Sequence, residues 1–147
     1  YRLGNMILSP DDPGKVVAVL DWEMSTLGDP LADLGYTLIY WGNATDSPER
    51  LAVRANLQVT TAEGFLTREE LVREYARRSG RDVSAIDWYQ VFSNYKLAVI
   101  AEGIYARHLK GQTVGEGFVG YDRTAPNMIA MALDMASRSE NPRLRGH

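Results

Sequence analysis

Leu3-Gly4-Asn5-Met6-Ile7-Leu8, then Ser9-Pro10-Asp11-Asp12-Pro13-Gly14, then Val16-Val17-Ala18-Val19-Leu20-Asp21 is the stretch that decides how this chain is read. Two short apolar runs rich in β-formers flank a dense turn signal, which predicts a β-hairpin over about residues 5–21. The second run is nearly all apolar, so both of its faces are expected to be covered. With the turn centred near Pro13, residues whose numbers sum to 26 face each other, which sets Asn5 opposite Asp21 and Ile7 opposite Val19. Directly opposed side chains share a face, with Cβ atoms about 5 Å apart. The Asn5 amide and the Asp21 carboxylate would then converge at the open end of the hairpin. Two hard oxygen ligands at that spacing suit Mg²⁺, which takes one or two protein oxygens and completes its shell with phosphate and water. A slip of one residue would send the two to opposite faces. Asn5 as a turn end and Asp21 as a strand cap is the competing reading, and spacing alone favours it, since Asn and Asp do both jobs often.

Downstream of the hairpin the signals are helical. Asp29 as N-cap and Pro30 as first residue open a helix expected over about 30–42. Residues 43–66 are weakly patterned, with Ser47-Pro48-Glu49 able to open a short helix. Thr67-Arg68-Glu69-Glu70 is a capping box for a helix over 67–79, stopped by Gly80. Ser84 is expected to cap a long helix over 85–110, ended by Gly111. Trp88, Phe92, Tyr95, Val99 and Ala106 lie along one of its faces, and with Val91, Leu97, Ile100 and Ile104 they predict a central, buried helix. Residues 111–123 form a glycine-rich loop without the strand that a phosphate loop needs. A last helix over 125–137 carries Met128, Met131, Leu133 and Met135, and the polar tail from Glu140 is expected to fray. The fold class is therefore mainly α with a small β-hairpin, in one domain over residues 1–147.

Composition narrows the function classes. With 45% apolar residues the chain can build a soluble core, and its net charge of −3 argues against a nucleic-acid binder. It has no cysteine, which excludes disulfides and a Cys-based zinc site and is compatible with a cytoplasmic location, the location expected here. His108 and His147 are far apart, so a His-rich metal site is not expected. No segment holds the roughly 18 consecutive apolar residues of a membrane span, so no membrane partner is expected. The start at Tyr1 has no signal-peptide pattern, and a beginning in mid-motif suggests a piece of something longer.

Three blocks, Leu3-Gly4-Asn5-Met6-Ile7, Val19-Leu20-Asp21-Trp22-Glu23 and Gly28-Asp29-Pro30-Leu31-Ala32-Asp33-Leu34, resemble the aminoglycoside phosphotransferase family, or choline kinase-like group. The likeness is strongest to the branch associated with acyl-CoA dehydrogenases. It implies the C-terminal lobe of a protein-kinase-like fold, with the N-terminal nucleotide lobe outside this chain. The family's catalytic loop runs His-x-Asp-x-x-x-x-Asn. Setting its asparagine on Asn5 puts the catalytic aspartate immediately before Tyr1. The second metal ligand, the aspartate of an Asp-Phe-Gly-like motif, falls on Asp21. The resemblance thus implies Mg²⁺ and ATP as cofactor and co-substrate, with Asn5 and Asp21 as the binding pair. Glu23 either adds a metal contact, directly or through water, or is an exposed glutamate at a helix start. Arg2 occupies the place where protein kinases hold a phosphate-contacting lysine; the alternative is a solvated arginine. Asp29 and Asp33 brace the catalytic loop in the family, although capping is the stronger expectation for Asp29.

Lys96 and Glu102 interrupt the long helix and either line an acceptor pocket or lie on a solvated strip. His108 and the methionines at 128, 131 and 135 are expected to be structural. The function implied is transfer of a phosphoryl group from ATP to a hydroxyl of a small molecule, with the nucleotide lobe as partner. The alternative is a kinase-like module that binds a nucleotide or small ligand without turnover.

Overall fold

The computed structural model describes residues 2–23, 25–52, 55–115, 118 and 120–145. Tyr1, the point of attachment for the expected catalytic aspartate, His147 and part of the 111–123 loop lie outside them. The chain forms two compact units, Tyr1–Arg81 and Asp82–His147.

In the first unit β1 (Met6–Leu8) pairs antiparallel with β2 (Val16–Val19). The partners are Met6 with Val19, Ile7 with Ala18 and Leu8 with Val16, so the register differs by one or two from that expected. The turn itself explains the shift. Ser9 N–H donates to Lys15 O at 2.9 Å and Lys15 N–H to Asp12 O at 2.9 Å, centring the loop on Asp12 rather than Pro13. The Ser9 hydroxyl also accepts from the N–H groups of Asp11 and Asp12. A bulge follows at once, because Val17 has no partner between Leu8–Val16 and Ile7–Ala18. The expected coverage of both faces of β2 does not hold. Val16 and Val17 are exposed, as are Ile7 and Leu8, because the sheet stops at two strands.

Helix α1 (Pro30–Leu38) starts as the sequence predicts, with Asp29 Oδ1 accepting from Leu31 N–H at 2.9 Å. It ends at Leu38, a turn short of Gly42. Gly42 is pressed so closely on the following stretch that a Cβ there would lie 2.2 Å from Leu57 O. Its N–H donates to the Thr60 hydroxyl at 2.7 Å instead of to a helical carbonyl. The Trp41 indole meanwhile donates to Leu66 O at 2.7 Å. A short α2 (Pro48–Ala52) and a 3-10 stretch (Ala55–Thr61) fill the weakly patterned region. Helix α3 (Arg68–Ser79) has the full Thr67/Glu70 capping box and ends on Gly80 at φ 68°. Among the described residues, Leu34, Leu38, Ile39, Trp41 and Leu57 are this unit's buried apolar side chains. Beside them, Asp46 accepts two hydrogen bonds from Arg68, at 2.6 and 2.5 Å, and one from Arg50 at 3.2 Å. Asn43 completes the knot, accepting from Arg68 N–H and donating to Glu69.

The second unit packs α4 (Ile86–Leu109) against α5 (Tyr121–Arg138). The buried face of α4 is not the one its largest side chains mark. Ser93, Asn94, Leu97, Ala98 and Ala101 are buried, whereas Tyr95 and Val99 are each 55% exposed and Trp88 and Phe92 are also exposed. Small residues at this spacing let α5 approach through Ala125, Met128 and Ala132, and the bulky stripe is left outside. Helix α5 starts a turn earlier than expected. Pro126 lies inside it and forgoes one backbone bond without stopping it. Nor does Ser84 cap α4, since its hydroxyl donates to Asp82 at 3.0 Å. The tail is tied back rather than frayed up to Arg145: Ser139 hydrogen-bonds Asp87, and Arg145 Nε donates to Ser139 O at 2.7 Å.

Candidate functional site

The expected pair meets, by a route other than strand register. Residues Leu3–Asn5 form a 3-10 turn, closed by Asn5 N–H on Arg2 O at 3.0 Å, that delivers Asn5 to the mouth of the hairpin. Leu20 N–H donates to Asn5 O at 2.8 Å, so Leu20, not Asp21, is the residue beside Asn5 on the backbone. Asp21 then turns into the left-handed region at φ 67°, alone among the described non-glycine residues. Aspartate tolerates this conformation better than most residues, but it still carries strain, of a kind that collects at functional sites. The turn swings its carboxylate back, and Asn5 Nδ2 donates to Asp21 Oδ2 at 2.9 Å. The segment behind it is fixed by the Trp22 indole, which donates to Val19 O at 2.6 Å, and by Ser25, whose hydroxyl donates to Trp22 O at 2.7 Å.

Arg2 joins the same cluster. Its Nε donates to Asn5 Oδ1 at 3.3 Å, and its guanidinium carbon lies 5.6 Å from the centre of the Tyr40 ring. The orientation of the Asn5 amide follows from chemistry. A guanidinium only donates and a carboxylate only accepts, so Oδ1 must face Arg2 and Nδ2 must face Asp21.

The other expected residues divide. Glu23 is exposed in the turn after Asp21 and is not hydrogen-bonded to the pair. Asp29 is the cap of α1, and Asp33 is exposed in its first turn, with its backbone carbonyl accepting from the Thr37 hydroxyl at 2.9 Å. In the second unit Lys96 and Glu102 are both exposed on α4. His108 shares a hydrogen bond with the Thr113 hydroxyl at 3.2 Å and stacks on Phe118. Met128 is buried, with Met131 and Met135 half-buried. The shallow cleft between the start of α4 and the tail, lined by Asp87, Glu140 and Arg143 among others, contains none of the expected site residues.

Asn5 and Asp21 fit a Mg²⁺ ion by donor type: one carboxylate and one amide, both hard oxygen donors, at hydrogen-bond separation. A half-turn of the Asn5 amide, which leaves its shape unchanged, would bring Oδ1 to the Asp21 side. Among the described residues no group of three or more His, Cys, Asp or Glu could hold a metal. The pair therefore suits an ion that keeps water and phosphate in its shell, not an all-protein cage. Tyr40 is the member that sequence reasoning missed, because an aromatic residue within a stretch expected to be helical, 30–42, carries no functional signal of its own.

A family model described as the phosphotransferase enzyme family matches residues 1–82, the stretch that contains the hairpin, the Asn5–Asp21 pair and α1 to α3. Acyl-CoA dehydrogenase family member 10 of Mus musculus is 35% identical over 141 residues, which cover 94% of this chain and 13% of that protein. Acyl-CoA dehydrogenase family member 11 of Rattus norvegicus is 30% identical over 141 residues, 95% of this chain and 18% of that protein. Probable acyl-CoA dehydrogenase IBR3 of Arabidopsis thaliana is 29% identical over 142 residues, 94% of this chain and 17% of that protein. The chain thus spans under a fifth of the length of these curated relatives. No solved structure matches it. Among the described residues no helix is long and apolar enough to cross a membrane. The family match runs through more than half of the 147 residues and through all three motif blocks, and the chain belongs to the phosphotransferase enzyme family.

Proposed function

We propose that this chain is the C-terminal lobe of a kinase-like phosphotransferase that moves a phosphoryl group from ATP to a hydroxyl of a small molecule, with Mg²⁺, in the cytoplasm. The observation that carries the reading is the Asn5–Asp21 contact at 2.9 Å, made by a strained Asp21 at the mouth of the hairpin. Bound there, Mg²⁺ would neutralise charge on the nucleotide phosphates. Asp21 supplies the only formal negative charge of the pair and anchors the ion. Asn5 supplies a neutral oxygen after its amide turns. Arg2, permanently charged, stabilises the phosphoryl oxygens once it leaves Asn5. Glu23 sits close enough in sequence to act through water. The family's general base would align immediately before Tyr1, and Asp29 and Asp33 would support the loop bearing it. Residues 1–147 act in this reading as one lobe, with the nucleotide lobe as partner.

The test is Mn²⁺ binding, as a spectroscopic substitute for Mg²⁺, and ATP-dependent phosphorylation of a panel of hydroxyl acceptors by the full-length protein. Asp21→Asn should lose both. An Asp21→Asn protein that binds Mn²⁺ like wild type would refute the metal assignment. Wild type that binds Mn²⁺ and ATP yet phosphorylates no acceptor would support a non-catalytic module instead.

A further inference from the structure

We propose that Tyr40 is a positioning residue for the Arg2–Asn5–Asp21 cluster. Its ring holds Arg2 on the Asn5 amide oxygen, and so keeps that oxygen turned away from the cation position until a divalent ion competes for it. This rests on the metal reading given above.

Arg2 is an exposed side chain at the edge of the hairpin, where an unrestrained arginine would sample many rotamers. Two contacts restrain it: Nε on Asn5 Oδ1 at 3.3 Å, a long hydrogen bond, and the guanidinium over the Tyr40 ring at 5.6 Å. The ring is itself fixed. Tyr40 is half-buried just beyond α1, its hydroxyl lies 3.2 Å from that of Tyr36, and the two rings are 5.2 Å apart. Helix α1 thereby sets where the guanidinium can rest. Because the Arg2–Asn5 bond is weak by itself, the aromatic contact is what keeps it populated.

The consequence lies at Asn5. With Oδ1 committed to Arg2, Asn5 presents its amide N–H to Asp21, and those hydrogens repel a cation approaching the carboxylate. Ion binding requires the amide to turn by half a revolution, which breaks the Arg2 bond and frees its guanidinium. Loading of the ion and release of Arg2 are then coupled, and by linkage whatever loosens Arg2 favours the ion.

The experiment is Mn²⁺ titration of the full-length protein, followed by electron paramagnetic resonance, with melting temperatures measured alongside. Tyr40→Leu retains every charge and removes the aromatic face; it should tighten Mn²⁺ binding by roughly two- to fivefold, the worth of an exposed cation–π contact. Tyr40→Phe keeps the ring and should retain wild-type affinity. Arg2→Gln, at an exposed position, should tighten binding at least as much as Tyr40→Leu. Equal or weaker Mn²⁺ binding in both Tyr40→Leu and Arg2→Gln overturns the inference, as does a Tyr40→Phe affinity that matches Tyr40→Leu. Asp21→Asn separates the two levels. Loss of Mn²⁺ there without a gain in Arg2→Gln sinks only the role of Tyr40; unchanged binding there sinks the metal reading and this inference with it.

Discussion

Asn5 and Asp21 are joined side chain to side chain at 2.9 Å although their backbones are out of register, Asn5 O being taken by Leu20 N–H. The 3-10 turn before β1 and the left-handed turn after β2 compensate for the slip in the hairpin. The pair therefore depends on the backbone of Asp21 as much as on its carboxylate.

That dependence separates two substitutions. Asp21→Gly should abolish phosphoryl transfer in the full-length protein while leaving the melting temperature close to wild type, because glycine adopts φ 67° without a Cβ penalty. Asp21→Ala should lose activity and also about 1 kcal/mol of stability. Asn5→Ala should be milder in turnover, since water can replace a neutral oxygen ligand. Turnover against Mg²⁺ concentration checks all three, and near-normal turnover of Asp21→Gly at low Mg²⁺ is the result that contradicts the anchor.

Asp29→Ala should lower stability by about 1 kcal/mol through loss of the bond to Leu31 N–H at the start of α1. Its Mg²⁺ dependence should be that of wild type. Chemical denaturation gives the first quantity; a shifted Mg²⁺ optimum would instead assign Asp29 to the site.

The Asp46 knot should make the first unit sensitive to acid. Burial pushes the Asp46 carboxyl up, but hydrogen bonds from Arg68 and the Asn43 N–H, and the charges of Arg68 and Arg50, outweigh it and hold the group below its ordinary value. The folded pKa is thus depressed. The stabilisation is complete above the unfolded-state pKa and disappears as pH falls through the folded one. The Asp46 side chain is 7% exposed and that of Arg68 15%, so Arg68→Ala leaves the carboxylate only Arg50 and the Asn43 N–H and should cost about 2 kcal/mol near neutrality. Unfolding free energies at pH 7 and at about pH 3 should show the gap between wild type and variant narrowing in acid. A gap that stays constant would remove the pair from the account.

Gly42→Ala should destabilise by about 3 kcal/mol or more, since the new Cβ would meet Leu57 O, a backbone atom that cannot step aside, at 2.2 Å. Thermal unfolding is sufficient to test it. A variant that melts with wild type would mean that the 3-10 stretch Ala55–Thr61 can move away from Gly42.

The sequence by itself determined the local features: the Asp29 cap and Pro30 that open α1, the Thr67/Glu70 box and Gly80 that bound α3, a hairpin around Pro10–Gly14, and the motif blocks that mark the family. Each depends on residues a few positions apart, or on a pattern that carries its own spacing. The tertiary structure alone decided the hairpin register, because a loop centred on Asp12 and a bulge at Val17 are alternatives of similar local cost. It also decided the buried face of α4. Apolar side chains occur all round that helix, and the choice of Ser93, Asn94, Leu97, Ala98 and Ala101 follows from how closely α5 can approach. It brought Arg2 to Tyr40, and Asp46 to Arg68, across 38 and 22 positions of chain. Such contacts have no local signature: an arginine, a tyrosine or an aspartate acquires its partner only when the intervening chain has folded and water has been excluded from between them.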